Sequence, residues 1–321
     1  MNRQPLIRAE HLCRSYGERQ AVVDLSFELH AGEIVGFLGL NGAGKSTSIG
    51  LLSGNLSPDA GRVLIDGLDL AREPLAARRR LGYLPEHPPL YGDLTVDEYL
   101  AYNARLHGLA RAQVREAVGR ARRRCGLEHH GRHLVGTLSK GYQQRAGIAQ
   151  AIVHGPPLLL LDEPTTGLDP LQIRDIRQLI LDLGRDHGVL LSSHILPEVE
   201  ATCSRVMVLH HGRLVFSDSM DHLETDSGGQ ILVSLRQAPS TQALAALPGV
   251  VKVESLGDGR FALGHRTDAQ ELTRCLVRSA VEQGWELVEL APRRSGLEQV
   301  FIELTCSDDA GARPNVEATG T

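Results

Sequence analysis

The sequence predicts an α/β fold with a β-rich start, a helical middle section and a smaller α+β domain at the C-terminal end. Two observations predict the main domain. An apolar strand at 33–38 leads into a glycine-rich turn and a helix-like stretch, and a continuous apolar strand, Leu158–Leu161, ends in two acids. Continuous apolar strands are typical of parallel sheets that are covered on both faces. The 321 residues suffice for about two domains.

The first domain, residues 1–220, has predicted strands on both sides of a helical section. Polar–apolar alternation or a continuous apolar run predicts strands at 6–10, 21–29, 63–65, 158–161, 189–192, 205–210 and 213–216. A helix is predicted at 171–184, and residues of about 87–135 are predicted to form a helical subdomain. Thr95 and Glu98 have the spacing of a capping box, so we expect a helix to begin after Thr95.

The composition changes after residue 220, where Ser227-Gly228-Gly229 resembles the edge of a linker. Strand and helix patterns over 221–305 follow the order strand, helix, strand, strand, helix, strand, at 231–236, 240–247, 250–254, 260–263, 268–283 and 286–290. This order predicts a ferredoxin-like domain, with Trp285 in its core. A short helix is predicted at 296–304, and the polar residues 306–321 are predicted to be a disordered tail.

Charge and hydropathy exclude several classes of protein. The formal net charge of -5 argues against nonspecific nucleic-acid binding, and we predict no nucleic-acid partner. The N-terminal residues lack the apolar core of a signal peptide, and no run approaches the roughly 20 apolar residues that a membrane span needs. We therefore expect a soluble protein that reaches a membrane only through a partner.

The five cysteines are scattered and lack CxxC spacing, which indicates free thiols in a reducing compartment. One cluster has partial metal-ligand character, since Cys125, His129 and His133 would share a face of an unbroken helix, with His130 beside them. Glycines interrupt that segment, and no second pair of ligands follows, whereas structural zinc needs four ligands. A polar connector is the favoured interpretation.

A phosphate-binding loop is predicted at 39–47, with the sequence GLNGAGKST. It matches the G-x-x-x-x-G-K-[ST] pattern in the strand–turn–helix context that makes the pattern specific. Backbone N–H groups of such a loop face phosphate oxygens, and the helix N-terminus adds partial positive charge. Lys45 is expected at the β and γ phosphates, and Ser46 is an expected Mg²⁺ ligand. The predicted nucleotide-binding residues of the loop are Gly39, Asn41, Gly42, Ala43, Gly44, Lys45, Ser46 and Thr47.

Two acids at the end of the strand 158–161 complete the predicted chemistry. α/β folds place ligands at the carboxyl ends of their strands. Asp162 is predicted to hold Mg²⁺, directly or through water, and Glu163 to orient or deprotonate the attacking water. Alone, this pair would be read as capping carboxylates, but the phosphate loop favours the catalytic interpretation.

Together with the phosphate loop and the two acids, three further motifs have an order along the chain that resembles the ATP-binding subunits of ABC transporters. LSKGYQQR at 138–145 is similar to the signature sequence of that family, TGLD at 166–169 to its D-loop, and His194 to its switch histidine. Tyr16 lies where the family has an aromatic residue that stacks on adenine. The resemblance covers residues 10–215. It implies a P-loop ABC ATPase fold, with ATP and Mg²⁺ as ligands and with Glu163 and His194 as catalytic residues.

The resemblance also implies a dimer. In the family, the signature caps the nucleotide that the partner's phosphate loop holds, so Ser139, Gly141 and the D-loop residue Asp169 are predicted contacts to that nucleotide. The chain has one phosphate loop and one signature. Two complete sites therefore need two chains, and a head-to-tail homodimer is the simplest prediction.

Three departures from the family pattern indicate a subgroup. Glu86 stands where a glutamine is usual; we predict that it has both a catalytic role and a role as a Mg²⁺ ligand, since a carboxylate still offers oxygen. Lys140 replaces a usual glycine and Tyr142 a usual glutamine. These variants resemble the ATPases of bacterial ABC-2-type exporters. The run 82–91 resembles the gliding-motility type, and LEQVF at 297–301 resembles accessory domains of the subgroup.

The function that the resemblance implies is ATP hydrolysis that powers a separately encoded integral membrane permease. The subunit would be peripheral, at the cytoplasmic face of the bacterial inner membrane. Tyr91, Leu94, Tyr99 and Tyr102 are candidates for a permease groove and equally for the core. The alternatives are a soluble ABC ATPase of assembly or regulation without a permease and a nucleotide sensor without turnover. The intact Lys45, Asp162, Glu163 and His194 argue against the sensor.

Overall fold

The computed structural model describes residues 4–226, 230–265, 269–293 and 297–306. The chain divides into two compact units, Met1–Asp218 and Ser219–Thr321. The predicted linker edge at 227–229 lies outside the described residues, and so do residues 307–321 of the predicted tail. Cys306, which we predicted to begin the tail, instead ends a helix, Leu297–Cys306.

The described part of the chain contains the following strands and helices. The strands are β1 (Ile7–Tyr16), β2 (Arg19–Leu29), β3 (Ile34–Leu38), β4 (Ala60–Ile65), β5 (Leu68–Asp69), β6 (Leu81–Leu84), β7 (Leu158–Asp162), β8 (Gly188–Ser193), β9 (Arg205–His210), β10 (Arg213–Ser219), β11 (Gln230–Leu235), β12 (Val250–Gly257), β13 (Arg260–His265) and β14 (Leu287–Arg293). The helices are α1 (Lys45–Ser53), α2 (Pro74–Arg78), α3 (Val96–Leu106), α4 (Arg111–Arg124), α5 (Lys140–Ile152), α6 (Pro170–Gly184), α7 (Leu196–Thr202), α8 (Met220–Asp226), α9 (Thr241–Ala245), α10 (Ala269–Glu282) and α11 (Leu297–Cys306).

The first unit contains a four-stranded and a six-stranded sheet. The four-stranded sheet has the order β2-β1-β4-β5 and is antiparallel. The six-stranded sheet has the order β10-β9-β3-β8-β7-β6, and the pairs from β9 to β6 are parallel. Every residue of β3, β7 and β8 is buried, as expected of a parallel sheet with two covered faces. Because parallel strands end at the same edge of the sheet, the loops that follow these strands lie together.

The helical section is shorter and more interrupted than the sequence pattern predicted. It consists of α3, α4 and two 3-10 turns, Glu128–His130 and Val135–Thr137. The predicted capping box is confirmed. The Thr95 hydroxyl accepts from the Glu98 backbone N–H at 3.3 Å, and the Glu98 carboxylate accepts from the Thr95 backbone N–H at 2.9 Å. The box satisfies two N–H groups that the first turn of α3 leaves open.

The tyrosines of this section divide between the core and the surface. Tyr99 is fully buried, whereas Tyr91 and Tyr102 are exposed, with 5.6 Å between the ring centroids of the two exposed tyrosines.

Cys125, a member of the predicted cysteine–histidine cluster, is buried at the end of α4, and burial raises the pKa of its thiol to about 12. His130 packs on Tyr142, with 4.0 Å between the ring centroids. His130 and Tyr142 therefore contact each other through their rings.

The second unit is an antiparallel sheet with the order β12-β13-β11-β14. Helix α9 connects β11 to β12, and α10 connects β13 to β14, which gives the βαββαβ order of a ferredoxin-like domain. Trp285 is buried in the core of this unit with Ile231, Leu263 and Leu276, as predicted. Among the described helices of both units, none has the length and hydropathy to cross a membrane.

Substitution of the α3 cap tests the contribution of the capping box. We expect Thr95→Ala to lower the free energy of unfolding by about 1 kcal/mol, because one N–H of the first turn loses its acceptor. Thr95→Ser keeps the hydroxyl and should retain most of the stability. Urea unfolding followed by far-ultraviolet circular dichroism measures both variants, and equal midpoints for Ala and Ser would contradict the assignment.

Candidate nucleotide site

Strand order brings the predicted motifs to one cavity. β8 lies between β3 and β7, so the phosphate loop after β3 faces the acids after β7, with His194 following β8. The cavity has a volume of about 500 Å³ and is lined by Tyr16, Arg19, Ala21, Leu40, Asn41, Gly42, Gly44, Lys45, Ser46, Thr47, Glu86, Glu163, Thr166 and His194. Most of the predicted nucleotide residues therefore line one space.

The backbone of the phosphate loop requires glycine at two positions. Gly42 has a φ of 82° and Gly44 a φ of 107°, in a region that side chains disfavour. A Cβ atom on Gly44 would lie 2.4 Å from the carbonyl oxygen of Ala21. Steric space, as well as backbone conformation, therefore excludes a side chain at Gly44.

Lys45 is a buried cation with few partners. Its side chain is 7% exposed, its Nζ donates to the Gly39 carbonyl at 2.7 Å, and the same atom lies 3.8 Å from Glu163 Oε1. Burial lowers the pKa of Lys45, while the charges of Glu163, Asp162 and Glu86 oppose this shift. A buried charge is costly unless it is paired, so phosphate oxygens in the loop would add strong partners for the ammonium group.

The Ser192 hydroxyl connects the two acids. It donates to Asp162 Oδ1 at 2.5 Å and accepts from the Glu163 backbone N–H at 2.9 Å. Burial raises the pKa of Asp162, and the hydrogen bond from Ser192 opposes that shift. Ser192 pairs with Asp162 across β7 and β8, so the register of two strands fixes this arrangement. Ser192 was predicted only as a strand residue, because it belongs to no motif of the site.

Glu163 and His194 form a close pair. Glu163 has a φ of 47° and a largely buried side chain, and its Oε2 atom lies 2.9 Å from His194 Nδ1. The side chain of His194 is 46% exposed. A neutral imidazole that donates from Nδ1 to the carboxylate leaves Nε2 as an acceptor. The pair therefore consists of a largely buried carboxylate and an imidazole that is accessible to solvent.

Tyr16 also lines the cavity and presents a half-exposed ring at the end of β1. The Arg14 guanidinium lies 5.3 Å from the centre of this ring. Arg19 lines the same cavity and donates to the Gly42 carbonyl at 3.2 Å. Arg19 belongs to no motif and was not predicted, since only its position after the Tyr16 turn indicates it.

Six predicted site residues do not line this cavity. One is Asp162, whose buried carboxylate accepts from Ser192. Gly39 and Ala43 belong to the phosphate loop but lie beneath its surface; a Cβ atom on Gly39 would lie 2.7 Å from the Leu209 carbonyl oxygen. Ser139 and Gly141 line a separate cleft of about 170 Å³ at the start of α5. Asp169 caps α6 and accepts from the backbone N–H groups of Leu171 and Gln172 at 3.0 and 2.9 Å.

The side-chain oxygens at the site fit the ligand preference of a magnesium ion. Ser46 offers a hydroxyl and Glu86 a carboxylate at the cavity. The buried carboxylate of Asp162 interacts with the charges of Lys45, Glu86 and Glu163. Within the described residues, no three His, Cys, Asp or Glu side chains form a ready metal cage. Mg²⁺ characteristically takes one or two protein carboxylates and completes its shell with phosphate and water oxygens, so a hydroxyl and two carboxylates fit a Mg²⁺ ion that binds together with a nucleotide.

Comparison with known proteins identifies the family. Residues 22–166 match the family model described as ABC transporter. The bacitracin transport ATP-binding protein BcrA of Bacillus licheniformis is 38% identical over 303 residues, which cover 93% of this chain and 97% of that protein. The chain belongs to the ATP-binding proteins of ABC transporters. The ATP-binding domain of this family hydrolyses ATP.

Other ABC proteins are similar over the same region. The daunorubicin resistance ATP-binding protein DrrA3 of Streptomyces coeruleorubidus is 35% identical, with coverage of 92% of this chain and 94% of that protein. The structure of an ATP-binding subunit of an ABC transporter matches with a TM-score of 0.62 at 35% identity, over 69% of this chain and 92% of that one. A dimeric bacterial ABC transporter cassette matches with a TM-score of 0.61 at 25% identity, over 67% and 98%.

The steric requirement at Gly44 gives a direct test of the ABC phosphate loop. We expect Gly44→Ala to weaken ATP binding by at least about tenfold, a loss of about 1.4 kcal/mol, because the new methyl group displaces the loop from Ala21. Gly32→Ala is the matched control, since Gly32 has a φ of 81° but open space around its Cβ position. Isothermal titration calorimetry should give the control nearly wild-type ATP affinity. Equal affinities for both variants would contradict the steric argument.

Proposed function

We propose that the chain is the ATP-hydrolysing subunit of a bacterial ABC-2-type exporter and that it powers a separately encoded membrane permease. The observation that carries the proposal is the Glu163–His194 pair, held at 2.9 Å beside the phosphate loop. The names of the relatives support the exporter class. They include bacitracin transport, daunorubicin resistance and linearmycin resistance ATP-binding proteins.

The chemistry follows from the charges around the cavity. In ATP hydrolysis, a water oxygen bonds to the γ phosphorus and the bond from that phosphorus to the bridging oxygen breaks, leaving ADP and phosphate. Glu163 accepts the water proton or orients the water, and Lys45 with the loop N–H groups balances the charge on the phosphates. His194 holds Glu163 in position. Ser46, Glu86 and Asp162 would hold Mg²⁺, which supplies further charge neutralisation.

A second copy of the chain would complete each site. Ser139 begins α5 without using its side chain as a cap, and with Gly141 it lies in a cleft apart from the chain's own cavity. A helix N-terminus with such a free hydroxyl suits a phosphate from another molecule. We infer a head-to-tail homodimer in which ATP closes the interface and hydrolysis reopens it. Asp169 would lie at the same interface.

The permease would dock on an aromatic groove of about 490 Å³ beside Glu86. Its lining includes Pro85, His87, Tyr91, Tyr102 and Leu106. Three of these, Tyr91, Tyr102 and Leu106, are large apolar side chains that remain exposed, which is typical of an interaction surface. Pro85 and His87 flank Glu86. A permease segment bound in the groove would therefore contact the backbone segment that carries Glu86, a predicted Mg²⁺ ligand. The proposal places the subunit at the cytoplasmic face of the inner membrane.

Removal of the Glu163 carboxylate charge tests the assigned chemistry. We expect Glu163→Gln to bind MgATP with near wild-type affinity and to hydrolyse it at least about 100-fold more slowly, since the amide is not a general base. Glu116→Gln, at an exposed position on α4, is the control and should leave turnover unchanged. Phosphate release measures turnover, and wild-type turnover by Glu163→Gln would refute the role of Glu163.

A second experiment distinguishes the exporter from a soluble ABC ATPase. Tagged Glu163→Gln protein, which should hold the closed dimer, is purified from solubilised native membranes with ATP and Mg²⁺ present. We expect a polytopic membrane protein to co-purify. The double substitution Tyr91→Ala and Tyr102→Ala should lose this protein while it keeps its nucleotide affinity. Recovery of only a soluble dimer or a soluble assembly would support the alternative without a permease.

A further inference from the structure

A basic groove lies between α3 and α4, outside the nucleotide site. It has a volume of about 850 Å³, and its charged lining consists of Arg105, Arg111, Arg115, Arg122, Arg123, Asp97 and Glu116. The formal net charge of the whole chain is -5. Five guanidinium groups against two carboxylates thus form a local positive surface on an acidic protein.

The two carboxylates are already paired. Arg122 donates to both Asp97 oxygens, at 2.9 and 3.1 Å, and Arg120 donates to Glu116 at 2.7 Å. The contact with Arg122 neutralises Asp97 at the end of the groove that the start of α3 and the last turn of α4 form. Apart from Arg123, which follows Arg122 on α4, the remaining arginines of the groove lie toward the opposite end.

That end carries Arg105, Arg111 and Arg115, here called the arginine cluster. All three are exposed, and none has an ion pair or a side-chain hydrogen bond with another residue in the described part of the chain. Arg111 and Arg115 are four residues apart on α4 and so share one helix face, about 6 Å apart along the axis. Arg105 comes from α3 and lines the same groove. The three guanidinium groups can thus contact separate anions over an open surface.

We propose that the arginine cluster binds the phosphate groups of anionic phospholipids at the membrane surface. Guanidinium groups suit phosphate because they offer paired N–H donors, and a basic cluster on an amphipathic helix is a recognised feature of proteins that bind anionic membranes. The guanidinium groups are separated on an open surface. Such an arrangement suits several lipid headgroups in the plane of a membrane better than it suits a single anion that must be enclosed.

The position of α3 supports a membrane rather than a free anion. One face of this helix carries Tyr102 and Leu106, which line the aromatic groove, while Arg105 lines the basic groove. The inference rests on the proposed function in this respect, because the aromatic groove is the proposed site of the permease. Lipid headgroups around a docked permease would lie beside the arginine cluster.

The test is co-flotation of the purified full-length chain with vesicles. One set contains phosphatidylcholine alone, and the other an equal mixture of phosphatidylcholine and phosphatidylglycerol. We expect wild-type protein to float with the anionic vesicles and to be released by added salt. The triple substitution Arg105→Gln, Arg111→Gln and Arg115→Gln should lower that affinity by about 100-fold.

A matched triple, Arg72→Gln, Arg185→Gln and Arg213→Gln, removes the same charge at other exposed positions and should retain vesicle binding. ATP affinity measured on both triples confirms that they are folded. Equal loss in both triples, or equal wild-type binding to both kinds of vesicle, would overturn the inference.

Two further outcomes identify other ligands and would also overturn the inference. Displacement of the protein from vesicles by inorganic phosphate at low concentration would indicate a site for the free anion. Loss of the co-purifying permease by the cluster variant, with vesicle binding unchanged, would indicate an acidic segment of the permease. Because ATP turnover and permease co-purification are measured separately, failure here leaves the tests of the proposed function intact.

Discussion

The position of β8 between β3 and β7 is the constraint on which the nucleotide site depends. It sets the phosphate loop and the two acids one strand apart, with Ser192 between them. A one-residue slip of β8 against β7 would turn Ser192 away from Asp162, since side chains alternate between the faces of a strand. The buried apolar residues of the three strands prevent such a slip. The hydrophobic core therefore fixes the positions of the charged groups at the site.

The charge balance of the site supports the proposal that Mg²⁺ binds together with the nucleotide. Lys45 interacts with three acids, Asp162, Glu163 and Glu86, and Arg19 lines the same cavity. A polyphosphate that entered alone would add negative charge to a site in which carboxylates already outnumber cations. A divalent cation that arrives with the nucleotide reverses this balance. The glutamate at position 86 strengthens the requirement, because a neutral glutamine there would remove one of the three negative charges.

The sequence was sufficient for what periodicity and local motifs determine. The phosphate loop, the strand that ends at Asp162, the capping box of α3 and the βαββαβ order of the second unit all follow from short-range patterns. Contacts that arise from packing between distant segments could not be predicted in this way. Arg19 reaches Gly42 and Ser192 reaches Asp162 only after the sheets have formed. Helix α2, only five residues long, was missed because its pattern is too short to show a period.

Trp285, the only tryptophan of the chain, lies in the core of the second unit. The first unit, with the nucleotide cavity, contains no indole ring. Intrinsic fluorescence excited at the red edge of protein absorption will therefore come from the second unit alone. Trp285 is therefore an intrinsic fluorescent probe of the accessory domain. A change in that emission when ATP is added would be direct evidence that events at the phosphate loop reach the C-terminal sheet.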